Sequence, residues 1–209
     1  MKIVALTQRI VENEEYPETR DVLDVRWGEF FTKLNALPIG LPAACDFRKY
    51  FVALDIAGVL LTGGNDLCSV SPSPLSARRD GYEKELLGYA LANSIPVLGI
   101  CRGMQIIGEY FGAELISVPG HAATRHRIEP AAEFGNSEAY LGRTDVNSYH
   151  RYALASLPAF LKVAARGHDD TVEAVEHVNL PVYGIMWHPE REREFQESDI
   201  LLFKKAFKL

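Results

Sequence analysis

The sequence predicts an α/β fold: a mainly parallel sheet covered by helices on both faces, with antiparallel strands added. Two observations carry this. In the first half, short continuous apolar runs such as Val59-Leu60-Leu61 alternate with segments of helical spacing, the way buried parallel strands and their crossover helices read. The second half is richer in strand-like runs, which suits antiparallel additions.

Taken in order, a strand is expected over residues 3–7 and a helix within 21–37, ended by Pro38. A second helix follows over 46–54, then a buried strand over 57–62 running into Gly63-Gly64-Asn65-Asp66. Leu86, Leu87, Ala90 and Leu91 fall at helical spacing in a longer helix over about 78–93. A strand over 96–100 and a helix over 102–111 come next. The later strands are expected over 145–149, 160–165, 172–178 and 182–187. A final helix over 199–209 carries late lysines that suit its C-terminal dipole.

Composition narrows the function. The chain has 209 residues, 47% hydrophobic and 24% charged, enough to bury roughly 70% of its unfolded surface without disulfides or metal. One domain over residues 1–209 is the expectation; the sequence shows no repeat, low-complexity segment or linker. A net charge of -6 argues against general nucleic-acid binding. No apolar run approaches a transmembrane helix. Met1 leads into Lys2-Ile3-Val4-Ala5-Leu6-Thr7, too short and strand-like for a signal peptide. Three cysteines do not fit a secreted disulfide scaffold. A cytoplasmic enzyme or binding domain is expected.

The segment richest in chemistry is Pro96-Val97-Leu98-Gly99-Ile100-Cys101-Arg102-Gly103-Met104-Gln105. A strand, Gly-x-Cys-x-Gly and a helix form the nucleophile-elbow pattern with sulfur in place of serine oxygen. Cys101 would stand at the tip of the turn over a helix N-terminus; a buried structural cysteine is the alternative. A base is offered by Gly184-Ile185-Met186-Trp187-His188-Pro189-Glu190, where in an extended segment His188 and Glu190 point to the same side. Two glycines after a strand, Gly63 and Gly64, can present bare N–H groups to an oxyanion, with the Arg102 N–H as a further donor. That loop is neither a Walker loop nor a Rossmann fingerprint.

Leu98-Gly99-Ile100-Cys101-Arg102-Gly103-Met104-Gln105 together with Met186-Trp187-His188-Pro189-Glu190 resembles the class I glutamine amidotransferases. Within them the chain looks most like the free-standing γ-glutamyl hydrolase branch, of peptidase C26 type. Thr7-Gln8-Arg9, the segment from Arg20 to Trp27, Val146-Asn147-Ser148-Tyr149-His150 and Thr171-Val172-Glu173-Ala174 support the resemblance over nearly the whole chain. It implies a flavodoxin-like α/β/α sandwich and hydrolysis of a γ-glutamyl amide through a γ-glutamyl thioester on Cys101. His188 would move protons, Glu190 would hold His188, and backbone near Gly63, Gly64 and Arg102 would stabilise the oxyanion. By the same resemblance Gln105 contacts the substrate's α-amino group, the Ser148-Tyr149 segment holds its α-carboxylate, and His150 is a further substrate-binding residue. No cofactor is implied.

The chain departs from the pattern in being short and in carrying Gly167-His168-Asp169-Asp170 where the branch has a smaller Asp-Gly turn. The leaving-group pocket is therefore expected to differ. The favoured substrate is γ-glutamyl-CDP-amidate, of capsular phosphoramidate biosynthesis; γ-glutamyl-aminobutyrate, of polyamine catabolism, is the alternative. A glutaminase subunit feeding a synthase, or a silent domain on the same fold, are further readings; a synthase partner is not expected, and a homodimer is left open. Arg125, Arg127, Arg191 and Arg193 read as solvated charge unless the substrate carries phosphate. His121, His126, His150, His168 and His177 show no metal-binding spacing, so no metal is expected. Cys45 and Cys68 read as spectators, and Trp27 as core or cleft border.

Overall fold

A computed structural model describes residues 1–131 and 143–209. Its strands are β1 (Lys2–Leu6), β2 (Arg9–Glu12), β3 (Thr19–Val22), β4 (Ala36–Gly40), β5 (Ile56–Leu61), β6 (Val97–Ile100) and β7 (Leu115–Ser117). They continue with β8 (Ala122–Pro130), β9 (Asp145–Tyr149), β10 (Tyr152–Leu154), β11 (Leu161–Gly167), β12 (Val172–His177) and β13 (Val182–Ile185). The α-helices among these residues are α1 (Arg26–Leu34), α2 (Arg48–Ala53), α3 (Pro74–Ala92), α4 (Arg102–Tyr110) and α5 (Glu197–Phe207).

Side chains alternate across a strand, and the apolar runs use both faces. Val4 and Leu6, Leu60, and Leu98 and Ile100 point into one core with Trp27, Phe30, Phe31, Phe203 and Phe207 of α1 and α5. Ala5, Val59, Leu61 and Val97 point into the other, against Phe47, Leu86, Leu87, Ile106 and Ile107 beneath α3 and α4. This is the α/β/α sandwich expected. Phe30 and Phe203 meet edge to face at 4.7 Å, a favoured aromatic geometry.

The main sheet has nine strands in the order β4-β1-β5-β6-β13-β12-β11-β8-β9. β4, β1, β5, β6 and β13 are mutually parallel. From β13 onward every pairing is antiparallel. No helix among the described residues is long and apolar enough to cross a membrane.

The sequence expectation omitted β7, β8 and β10, and it ran the last strand to 187 where β13 ends at Ile185. Three further differences have a local reason. Pro38 does not end the first helix: Asn35 does, at φ 55 with its N–H turned to the Phe31 and Thr32 carbonyls. Pro38 instead lies inside β4, paired with Val4. β4 is an edge strand, where a missing N–H is tolerated. The long helix starts at Pro74, four residues early, because the Ser73 side chain accepts the Ser76 N–H as an N-cap. Finally, β2 and β3 form a separate hairpin, and Thr19–Val22 is strand where the helical region was expected to begin.

Candidate active site

The C-terminal ends of parallel strands are where α/β sheets open clefts. Residues beyond β1, β5, β6 and β13 here line two adjoining cavities. One, of about 250 Å³, is bordered by Cys101, Gln105, Tyr149, His150 and His188. The other, of about 260 Å³, is bordered by Asp24, Trp27, Thr62, Gly63 and Glu190. Arg9, Gly64 and Arg191 border both.

Cys101 stands between β6 and α4 with φ 51 and ψ -103, a backbone setting costly for a residue with a Cβ. The turn is held by the Cys101 N–H on the Ile185 carbonyl at 2.7 Å. The Met104 and Gln105 N–H groups donate to the Cys101 carbonyl at 3.0 and 3.1 Å. Both glycines of the motif are there for close approach. A Cβ on Gly99 would lie 2.4 Å from the Gly103 backbone, and one on Gly103 would lie 2.0 Å from the Leu61 oxygen.

His188 follows β13 and is buried. Its Nδ1 bonds Glu190 Oε1 at 2.6 Å. Glu190 reaches it across a one-turn 3-10 helix, Pro189–Arg191, rather than along the extended segment expected: a tight turn brings the i+2 carboxylate back to the ring. Asn147 on β9 grips the His188 backbone from both sides, accepting its N–H at 2.9 Å and donating to its carbonyl at 2.8 Å. Tyr149 packs edge to face on the imidazole at 5.7 Å. Gly63 leaves room for the ring, since a Cβ there would lie 2.6 Å from His188 Cε1. Burial alone would lower the pKa of the imidazole, but the charges of Glu190 and Cys101 outweigh it and hold it up at about 9.

The loop after β5 is fixed from behind. Buried Arg79 donates to the carbonyls of Thr62 (2.7 Å), Gly63 (3.1 Å) and Gly64. Carbonyl and following N–H point oppositely across a trans peptide, and all peptides here are trans. Holding those oxygens therefore turns the Gly63 and Gly64 N–H groups away from Arg79. Arg79 pairs with Glu83 at 2.9 Å, and Arg102 extends from the elbow to Asp80 and Glu83. Two guanidiniums and two carboxylates thus neutralise one another under the turn.

The structure brings Cys101, His188, Gln105, Tyr149 and His150 around one cavity. Gln105 donates to the Tyr152 carbonyl at 2.8 Å. Ser148 is buried, and its hydroxyl donates to the His121 carbonyl at 2.6 Å. Of the four arginines singled out, Arg125 is committed to Asp145 and Glu192, and Arg127 and Arg193 are exposed. Arg191 is at the cleft, over the Tyr149 ring at 4.8 Å. Trp27 is both core and cleft border. Cys45 and Cys68 are free thiols, Cys45 exposed. The spacing of the histidines hides a cluster that exists in three dimensions, because strand pairing gathers His121, His126, His150 and Glu173. Sequence reasoning gave no role to Arg9, Asn147 or Arg79; only Arg9, just past β1, carried a positional signal.

The family model of peptidase C26 matches residues 2–190. A γ-glutamyl-CDP-amidate hydrolase of Campylobacter jejuni is 37% identical over 95% of this chain and 94% of its own length. The glutamine-hydrolysing GMP synthase component of Methanopyrus kandleri is 30% identical, over 69% of this chain and 72% of its own. A glutamine amidotransferase structure from Thermotoga maritima superposes with a TM-score of 0.67 at 16% identity, covering 99% of this chain and 84% of that one. This last likeness speaks to fold alone.

Proposed function

The chain belongs to the peptidase C26 family, and from that premise we propose that it releases L-glutamate from a γ-glutamyl amide, with Cys101 as nucleophile. The observation that carries this is the pairing of His188 with Glu190 at 2.6 Å in the cavity that Cys101 borders. His188 Nδ1 is occupied by the carboxylate, which leaves Nε2 to hold the proton given up by the Cys101 sulfur before it attacks the γ-carbonyl. The Glu190 charge balances the imidazolium formed. The developing oxyanion would be met by N–H groups of Gly63, Gly64 and Arg102, held in place beforehand by Arg79 and the start of α4. His188 then protonates the departing nitrogen, and the γ-glutamyl thioester remains on Cys101. Water activated by the same imidazole releases glutamate.

The substrate we assign is γ-glutamyl-CDP-amidate, which would place the enzyme where capsular phosphoramidate precursors shed glutamate. The C. jejuni relative supports this, and so does the two-part cleft. The glutamyl end suits the cavity of Gln105 and Tyr149. A pyrophosphate beyond the scissile bond suits Arg9 and Arg191, which border both cavities.

The test is glutamate release from γ-glutamyl-CDP-amidate, γ-glutamyl-aminobutyrate and glutamine by the purified protein and by Cys101→Ala. Efficient, Cys101-dependent turnover of the CDP conjugate is expected. Replacing Arg9 and Arg191 with Ala should raise its KM roughly 10- to 100-fold, the scale of lost charged hydrogen bonds, and leave the aminobutyrate conjugate unaffected. Turnover of glutamine alone, and only with a synthase present, would overturn this reading.

A further inference from the structure

Beside the cleft lies a buried cluster that the hydrolytic chemistry does not use. His126 is on β8, His121 just before it, His150 just after β9, and Glu173 on β12. Their side chains are 5%, 4%, 1% and 1% exposed. Three ring nitrogens converge on one carboxylate oxygen: Glu173 Oε1 lies 3.4 Å from His121 Nδ1, 3.5 Å from His126 Nε2 and 3.4 Å from His150 Nε2.

The outer nitrogens settle the tautomers. His121 Nε2 bonds Asp169 Oδ2 at 2.8 Å, His126 Nδ1 the Arg127 carbonyl at 3.1 Å, and His150 Nδ1 the Tyr152 carbonyl at 3.2 Å. Carboxylates and carbonyls only accept, so each outer nitrogen carries the hydrogen. The inner nitrogens of neutral rings are then bare lone pairs facing a carboxylate. None of the three, and neither oxygen of Glu173, has a hydrogen-bond partner. Three ring nitrogens and one carboxylate oxygen converging on one point call for positive charge there.

Size and donor type say which charge fits. A tetrahedral ion with bonds of 2.0 to 2.1 Å holds its ligand atoms roughly 3.3 to 3.4 Å apart; the three nitrogen-to-Oε1 separations are close to this, and all four ligand atoms lie within 4.8 Å of one another. Three imidazoles and one carboxylate suit zinc-like ions, whereas magnesium and calcium take oxygen ligands. Outer hydrogen bonds to a carboxylate and to carbonyls are the usual supports of metal-bound histidines. We propose that His121, His126, His150 and Glu173 form a structural zinc site. With four protein ligands it is closed to substrate, and it would clamp the β8–β9 pair to β12. His150 borders the catalytic cavity and adjoins Tyr149, so the ion would hold the cleft wall that packs on His188. The proposal does not depend on which conjugate is hydrolysed.

The test is metal content. Protein produced with zinc, then desalted against a weak chelator, should hold about one zinc per chain, the count for one structural site. Cys101→Ala should retain it, whereas His126→Gln and Glu173→Gln should lose it. Cobalt exchanged into the wild-type chain should give the intense visible bands of tetrahedral Co²⁺, a readout needing no variant. Stripping with a strong chelator should lower Tm, and zinc alone should restore it. Folded wild-type protein without bound zinc would overturn the site and leave protons as the balancing charge. Zinc lost in Cys101→Ala, or a weak octahedral cobalt spectrum, would overturn it too.

Discussion

Gly63→Ala tests the site through one methyl group. The added Cβ would sit 2.6 Å from His188 Cε1, where carbon atoms prefer 3.5 to 4.0 Å; the ring must therefore give way by about 1 Å. Neither backbone can yield instead. Arg79 holds the Thr62 and Gly63 carbonyls at 2.7 and 3.1 Å, and Asn147 holds the His188 backbone at 2.9 and 2.8 Å. The imidazole must turn, and its 2.6 Å bond to Glu190 stretches or breaks. A misplacement of about 1 Å at a proton-transfer group costs on the order of 100-fold. The loss should fall on kcat, since the Gly63 N–H and the binding residues remain. The assay is glutamate release under saturating and limiting substrate, with circular dichroism and a thermal melt to show an unchanged fold. Gly28→Ala, whose methyl meets nothing within 4 Å, is the matched control and should change nothing. A folded Gly63→Ala enzyme within a few-fold of wild-type kcat would refute the assignment of His188 as the proton carrier.

Two further outcomes follow from the same geometry. His188, raised from 6.5 to about 9, contributes stability that is full below about pH 6.5 and lost as pH rises through about 9. Glu190→Gln should flatten that slope in denaturant midpoints, by at most about 3 kcal/mol, and should move the pH profile of kcat. Asn147→Ala strands a buried N–H and a buried carbonyl of His188, at about 1–3 kcal/mol each. Tm should fall by several degrees, and kcat should fall with it.

Much of this was readable from residues alone because the signals were local. Continuous apolar runs with helices between them encode the parallel half, and Gly-Ile-Cys-Arg-Gly encodes its turn through two close approaches that only glycine permits. His188 and Glu190 are two positions apart, so their pairing was visible even though the backbone between them was not. What escaped was made by long-range pairing. β8 has a period-two burial pattern, with His126 and Ile128 buried and Arg125, Arg127 and Glu129 exposed. One of its inward residues is a histidine, so an apolar filter passes over it. The His126 and Glu173 side chains meet only because β8 and β12 flank β11. Asn147 likewise acts on a residue 41 positions away. Pro38 misled because its meaning depends on being at an edge, and an edge is a property of the sheet rather than of the segment.

The neutral block under the elbow constrains how this sequence can change over generations. Arg79, Asp80, Glu83 and Arg102 are all buried, and each balances charge on another. Deleting any one leaves an uncompensated buried charge, at about 3–5 kcal/mol, whereas an apolar replacement of a whole set can be neutral. Single steps are therefore filtered out and coordinated steps are tolerated, a steep epistasis concentrated on four positions. In descendants that diverge widely at the surface, these four should persist together or vanish together.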